Sequence, residues 1–325
     1  MYKKLVVAAA LLAFCVVVLG AYVRLSDAGL GCPDWPGCYG HIAVPKTDNQ
    51  LAAAAQAFPD KPVESRKAWK EMIHRYFAGT LGLLIIAIAI IAWRKRRELQ
   101  QSPRLPSVLV ALVIFQALLG MWTVTLLLKP VIVSAHLLGG MTTLALLVWL
   151  ALRQIGTGPR LDMLSIRRLR IWGLLGLLLV FVQIALGGWV SSNYAALACT
   201  EFPLCQGAWL PPMDFSHAFH FRRELGMTAE GELLPMAALT AIHWTHRMGA
   251  YIVFAYIGWL ALQVLRIRYL RGVGTALLLV LLAQVSLGVA NVLLSLPLPV
   301  AVLHNAGAAL LLITMVVLNF RLNQQ

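Results

Sequence analysis

Charge is scarce in this chain of 325 residues. Only 12% are Asp, Glu, Lys or Arg, about half the usual share of a soluble domain. Acidic residues are the scarcest, 13 against 27 basic ones. Five cysteines are too few for a disulfide-dense scaffold, and no low-complexity tract stands out. The shortage of charge leaves almost no room for a soluble enzyme of this size. A net charge of +14 would ordinarily invite a nucleic-acid partner, but that needs a basic face on a soluble domain, so no nucleic acid is expected. What is abundant is apolar, 60% of the chain. Length alone suggests two domains.

Eight apolar runs are long enough to span a bilayer, which takes about 20 residues. They are Leu5–Val23, Tyr76–Trp93, Ser107–Leu128, Val131–Leu152, Ile171–Val190, Met248–Leu265, Val273–Leu296 and Ala301–Phe320. The first follows Lys3 and Lys4, so it also fits a cleaved signal peptide. Lysine and arginine set the orientation. Arg94-Lys95-Arg96-Arg97, Arg104, Arg153, Arg160, Arg167, Arg168, Arg170, Arg266, Arg268 and Arg271 share one side with Lys3, Lys4 and Arg321. That side holds 16 basic residues and two acids, Glu98 and Asp162; the other holds 11 of each sign. The rich side is expected to be cytoplasmic, with both termini inside. Two long outer connections, roughly 24–71 and 191–240, carry Pro, Trp and polar residues and should form ordered caps.

The two halves resemble each other. Leu19-Gly20-Ala21-Tyr22-Val23 matches Leu186-Gly187-Gly188-Trp189-Val190. Cys32 and Cys38 match Cys199 and Cys205 at a shift of 167. His74-Arg75 matches His246-Arg247 at 172, and Gln116-Ala117-Leu118-Leu119-Gly120 matches Gln284-Val285-Ser286-Leu287-Gly288 at 168, as His136 matches His304. The expected architecture is all-α, a polytopic membrane protein of eight helices in two tandem parallel four-helix bundles, 1–155 and 156–325. An even number of spans per repeat makes the copies parallel rather than inverted. The repeat also makes the first span part of the fold, not a leader. A transporter would show spans broken by Gly or Pro near their centres, and none does so clearly.

Four histidines at matched depth, His74, His136, His246 and His304, form two pairs. Ionisable residues inside spans are functional candidates. Two imidazoles facing across a helical bundle suit a heme, one axial ligand from each side. Small residues share their helix faces: Ala78 beside His74, Gly139 beside His136, Gly249 and Ala250 beside His246, Gly307 beside His304. Those also let helices approach closely. Two histidines per bundle are too few for a closed zinc site. Arg75 and Arg247 are candidate partners for heme propionates. Three residues before His74 stands Glu71, and three before His246 stands His243. A carboxylate at a heme edge can move a proton or stabilise positive charge; it can also favour a helix start. The first half therefore looks reactive and the second electron-carrying or structural. The pairs Cys32–Cys38 and Cys199–Cys205 are expected disulfides, as staples or redox groups. Cys15 should pack within span one. His41, His217 and His220 lie in loops without an assigned role.

Gly29-Leu30-Gly31-Cys32-Pro33-Asp34-Trp35-Pro36 with Cys38, then Glu71-Met72-Ile73-His74-Arg75, then His243-Trp244-Thr245-His246-Arg247, resemble bacterial heme A synthase over essentially the whole chain. The resemblance implies an oxidoreductase that converts heme O to heme A for terminal cytochrome oxidase. The C8 methyl group is oxidised to a formyl by successive hydroxylations. It implies substrate heme near His74 and His136, a heme b cofactor on His246 and His304, Glu71 as the catalytic residue, and an activity-linked Cys32–Cys38 pair. It further implies membrane lipid, heme O synthase (a farnesyltransferase) and cytochrome oxidase assembly factors as partners, an electron donor or acceptor of unknown nature, and a homo-oligomer as one assembly state. The location implied is the bacterial inner membrane, with heme sites toward the outer face. The competing function is a diheme b-type electron-transfer cytochrome, which gives Glu71 no work. A quinone-linked disulfide-forming protein would use Cys-x-x-Cys, which is absent, and has no need of four matched histidines.

Overall fold

Backbone groups in lipid must find their hydrogen bonds within their own segment, so an apolar spanning run folds as a helix. The computed structural model, which describes residues 1–156 and 163–324, has eight such helices. They are α1 (Tyr2–Leu25), α2 (Ser65–Arg94), α3 (Arg104–Thr125), α4 (Pro130–Ile155), α5 (Met163–Ser192), α6 (Met236–Leu265), α7 (Arg271–Leu293) and α8 (Leu298–Leu322). All eight are long and apolar enough to cross a membrane. Among the described residues there is no strand, only isolated bridges such as Cys38–His41 and Cys205–Ala208. Arg160 and Asp162 of the basic connection lie outside the described residues.

The two tight connections are built alike. Leu127 and Leu128 end α3 in the left-handed region, and Ser295 and Leu296 do the same after α7. Each reversal is followed by a proline at the start of the next helix, Pro130 in α4 and Pro299 in α8, where a missing N–H costs nothing.

Two helices start well before their apolar runs. α2 begins at Ser65 rather than near Tyr76, and α6 at Met236 rather than Met248. The opening turns of α2, Ser-Arg-Lys-Ala-Trp-Lys-Glu-Met, are too polar for a hydropathy window. They are helical because Ala68 and Met72, at i and i+4, bury against the first outer loop. In α6, Ala238, Ala241 and Ile242 bury in the same way. The first outer loop has its own small core of Cys32, Cys38, Tyr39, Val44 and Ala54 against those α2 residues. It includes a short helix, Asp48–Ala57, opened by a capping box between Thr47 and Gln50. The first outer loop thus packs as a cap on the start of α2. Cys15, by contrast, does not pack inside: it is exposed on the surface of α1, so its thiol faces outward from the helix face that buries Ala9 and Ala13.

The chain divides into two compact units, Met1–Thr143 and Leu144–Gln325, with the division inside α4. In the first, α2 packs on α1 and α3, and Gly140, in the first half of α4, sits beside Val17 and Gln116. In the second, α6 packs on α5 and α7, and α8 on α7 and α5, so four helices close a ring.

Candidate functional site

The early starts of α2 and α6 place Glu71, His74 and Arg75, and likewise His243, His246 and Arg247, inside regular helix rather than at its mouth. Residues three or four apart share a face. Each triplet therefore presents one acid or imidazole, one candidate ligand and one guanidinium in a fixed vertical order.

In the first unit, Glu71 is only 5% exposed. Its Oε1 pairs with Arg75 Nη2 at 2.5 Å, and its Oε2 accepts from the Cys32 backbone N–H at 3.0 Å. Arg75 Nη1 then reaches the loop, donating to the carbonyls of Asp34 at 2.9 Å, Pro36 at 3.3 Å and Gly37. Asp34 turns its carboxylate on the backbone N–H groups of Tyr39 and Gly40, at 2.6 and 2.8 Å. Cys32 and Cys38 form a disulfide across this turn. A chain of contacts thus runs from the carboxylate through the arginine to the disulfide loop and back to the carboxylate.

The second unit repeats the scaffold. Cys199 and Cys205 form a disulfide. Glu201, at the place of Asp34, accepts from the Gly207 N–H at 3.1 Å. Arg247 donates to the carbonyls of Leu204 at 2.9 Å and Cys199 at 3.0 Å, and Leu204 corresponds to Gly37. Its Nε lies 3.3 Å from His243 Nε2. His243 is as buried as Glu71, at 5% exposure, but it is not an anion. Among the described residues no carboxylate lies within ion-pair distance of Arg247.

The four candidate ligands are each set against a glycine of the preceding spanning helix. A Cβ added at Gly20 would lie 3.0 Å from the His74 Cε1; at Gly120, 3.4 Å from that of His136; at Gly187, 3.1 Å from that of His246; at Gly288, 3.0 Å from that of His304. A larger residue would push the ring away at three of the four. The Nδ1 atoms of His74, His136 and His304 are buried without a partner.

Glutamines were not among the candidates from sequence, yet three of them touch these histidines. Gln116 Nε2 donates to the His136 carbonyl at 3.1 Å. Gln183 Nε2 lies 3.0 Å from His246 Nδ1 and 2.9 Å from its carbonyl. Gln284 Nε2 lies 3.4 Å from His304 Nε2. The spacing Gln-x-x-x-Gly, repeated on three helices, was the available signal.

Of the loop histidines, His217 pairs with Asp214, which caps the short helix Phe215–Ala218. The Ser216 hydroxyl, then His217, hold the Asp214 carboxyl down to about 2, and Asp214 in turn raises His217.

The described residues contain no cluster of three or more His, Cys, Asp or Glu suited to a bare metal ion. Histidine pairs, each ring backed by glycine and three of the four carrying a buried nitrogen without a partner, suit instead a flat group that brings its own equatorial donors. Residues 3–316 match the family model of a cytochrome oxidase assembly protein, COX15-CtaA. A protein of Shewanella oneidensis named heme A synthase is 46% identical over 309 residues, 94% of this chain and 92% of its own. One of the same name from Caulobacter vibrioides is 30% identical over 328 residues, 93% and 90%. Another from Halalkalibacterium halodurans is 29% identical over 239 residues, 71% and 72%. Carrying that family's match across nearly its full length, this multi-pass membrane chain belongs to the COX15-CtaA family of cytochrome oxidase assembly proteins.

Proposed function

We propose that the chain oxidises the C8 methyl group of heme O to a formyl group, giving heme A, with substrate held between His74 and His136 and a heme b between His246 and His304. The observation that carries this reading is the difference at one position. Glu71, a buried carboxylate, stands one turn from His74, and His243, an imidazole, stands one turn from His246. A group that only transfers electrons has no need of that carboxylate.

Bound heme supplies the redox chemistry, with iron on the histidine nitrogens. The protein's own residues position, shield and move protons. Glu71 is the group that can accept or return a proton as the substrate edge changes charge, and its two oxygens are fixed before substrate arrives. Arg75 keeps the carboxylate in place and ties it to the loop. The Cys32–Cys38 loop supplies the N–H that fixes the second oxygen, so the disulfide positions Glu71 through the backbone. Among the described residues no carboxylate is ion-paired with Arg247, which leaves it open to an anionic propionate; Arg75, already paired with Glu71, serves first as a loop clamp. The lysine and arginine distribution supports cytoplasmic termini and heme sites toward the outer face of the inner membrane.

The test is heme extraction from the purified full-length protein and from Glu71→Ala, made in cells that supply heme O. Heme B together with heme O or A is expected from the parent, and heme B with heme O but no heme A from the variant. Heme B alone in both would leave a diheme cytochrome and overturn the proposal.

A further inference from the structure

Four spanning helices carry the same five-residue frame before the glycine that meets a histidine. On α3 it is Gln116-Ala117-Leu118-Leu119-Gly120, on α5 Gln183-Ile184-Ala185-Leu186-Gly187, and on α7 Gln284-Val285-Ser286-Leu287-Gly288. On α1 it is Val16-Val17-Val18-Leu19-Gly20. The glycine does the same work in all four, taking the imidazole Cε1 against its bare face. One helical turn away the amide occurs three times and is absent once.

Where present, the amide lodges on the glycine three residues beyond the histidine. Gln116 lies on Gly139, Gln183 on Gly249 and Gln284 on Gly307, each so close that a Cβ there would overlap the amide. All three amide oxygens are buried without a partner. At the fourth position both halves of this arrangement are missing. Val16 stands where the glutamine would be and Phe77 where the glycine would be; of the four histidines only His246 has its Nδ1 met by an amide, and those of His74, His136 and His304 are buried without a partner.

A histidine that binds iron through one nitrogen carries a proton on the other. A partner for that proton fixes the ring's rotation and strengthens the bond, and its loss typically costs 10–100-fold in affinity. An amide can meet it with its oxygen by turning about its last bond. The orphaned Gln183 oxygen, on an amide already 3.0 Å from His246 Nδ1, is placed for that role. Valine can offer nothing of the kind to His74.

We propose that Gln183 makes His246 a retained axial ligand, and that Val16 leaves His74 the releasable one, so that the heme of the first half is exchanged at its His74 side. This rests on the assignment of substrate to the first half and heme b to the second. It gives the duplicated scaffold two different holding strengths from a change at two positions, Val16 and Phe77. Gln183 is a positioning residue here. It reaches the iron only through the imidazole.

Heme release from the detergent-solubilised full-length protein to excess apomyoglobin tests this, with chromatography of the hemes left behind. His74→Ala and His246→Ala assign the kinetic phases to the two halves. The expected parent behaviour is two phases, the first-half heme leaving at least ten times faster. Gln183→Val should speed the second-half phase 10–100-fold and raise that heme's midpoint potential, with little change in the first-half phase. Gln183→Glu, which keeps an acceptor, should restore slow release and a low potential. Val16→Gln combined with Phe77→Gly should slow the first-half phase. An unchanged release rate and potential in Gln183→Val would overturn the brace. So would equal speeding by Gln183→Val and Gln183→Glu, since only lost packing is common to both. If instead heme B leaves in the first-half phase while Gln183→Val still speeds the second, the assignment of hemes to halves fails and the brace stands.

Discussion

The starts of α2 and α6 are nearly the same object built twice. Each has a histidine facing a glycine, an arginine one residue on, and a disulfide loop whose carbonyls receive that arginine. They differ in the residue one turn toward the helix start. With Glu71 the arginine is neutralised, and the loop donates an N–H to the acid, so helix and loop are locked from both sides. With His243 the arginine is bonded to carbonyls and an imidazole, and among the described residues no carboxylate pairs with it directly. Under the function proposed above, one side chain on a common frame separates chemistry from anion holding.

The largest effect should come from making the halves alike at that position. Glu71→Ala is expected to lower heme A formation at least 10²-fold, within the 10²–10⁴ typical of a lost acid–base group. His243→Ala should cost far less in conversion per bound heme b, read by chromatography of extracted hemes. Equal losses would mean that the two positions do the same job. Next in size is the arginine. Arg75→Ala strands a buried carboxylate, a change worth about 3–5 kcal/mol. Arg247→Ala removes bonds to neutral carbonyls, about 1.5–3 kcal/mol for a charged donor. Protease resistance of the two outer loops would rank them, and a more fragile second loop in Arg247→Ala would reverse the comparison.

Replacing either cysteine pair by serine opens a six-residue separation, worth about 2 kcal/mol by loop entropy. The stability loss should be equal in the two halves. The activity loss should be confined to the first, where the loop holds Glu71. The smallest effect belongs to the second loop alone. Asp214 is held at about 2, below its ordinary 3.8, so its support for the Phe215–Ala218 turn is complete above 3.8 and fades as pH falls toward 2. His217 is raised, so its share is complete below 6.5 and is lost as pH climbs through its raised value. Asp214→Asn should flatten that dependence in limited proteolysis, with the first loop unaffected.

Much of this was legible in the sequence. The eight spans, the repeat, the four histidines and Glu71 stand out because apolar runs, duplication and intramembrane ionisable groups are strong signals. The helix starts at Ser65 and Met236 were not, since what makes those turns helical is burial of Ala68 and Met72, or of Ala241 and Ile242, against loops distant in sequence. The short helix at Asp48 was missed although Thr47-x-x-Gln50 announces it. The hydrogen bonds of Arg75 and Arg247 to loop carbonyls could not be read, because carbonyls carry no sequence signature. Gln183 was overlooked for a related reason. In a linear reading it is one polar residue in an apolar helix, and its meaning depends on which glycine it touches.

The 30-residue length of α2 and α6 has a consequence for traffic. At 1.5 Å per residue each is about 45 Å long, against roughly 30 Å of hydrocarbon. His74 and His246 therefore stand about 15 Å below the helix tips, near the boundary where oil meets water. A molecule with a greasy end and a charged end need never choose between phases there. Under the function proposed above, a substrate would enter there sideways from the leaflet with its charged rim toward water.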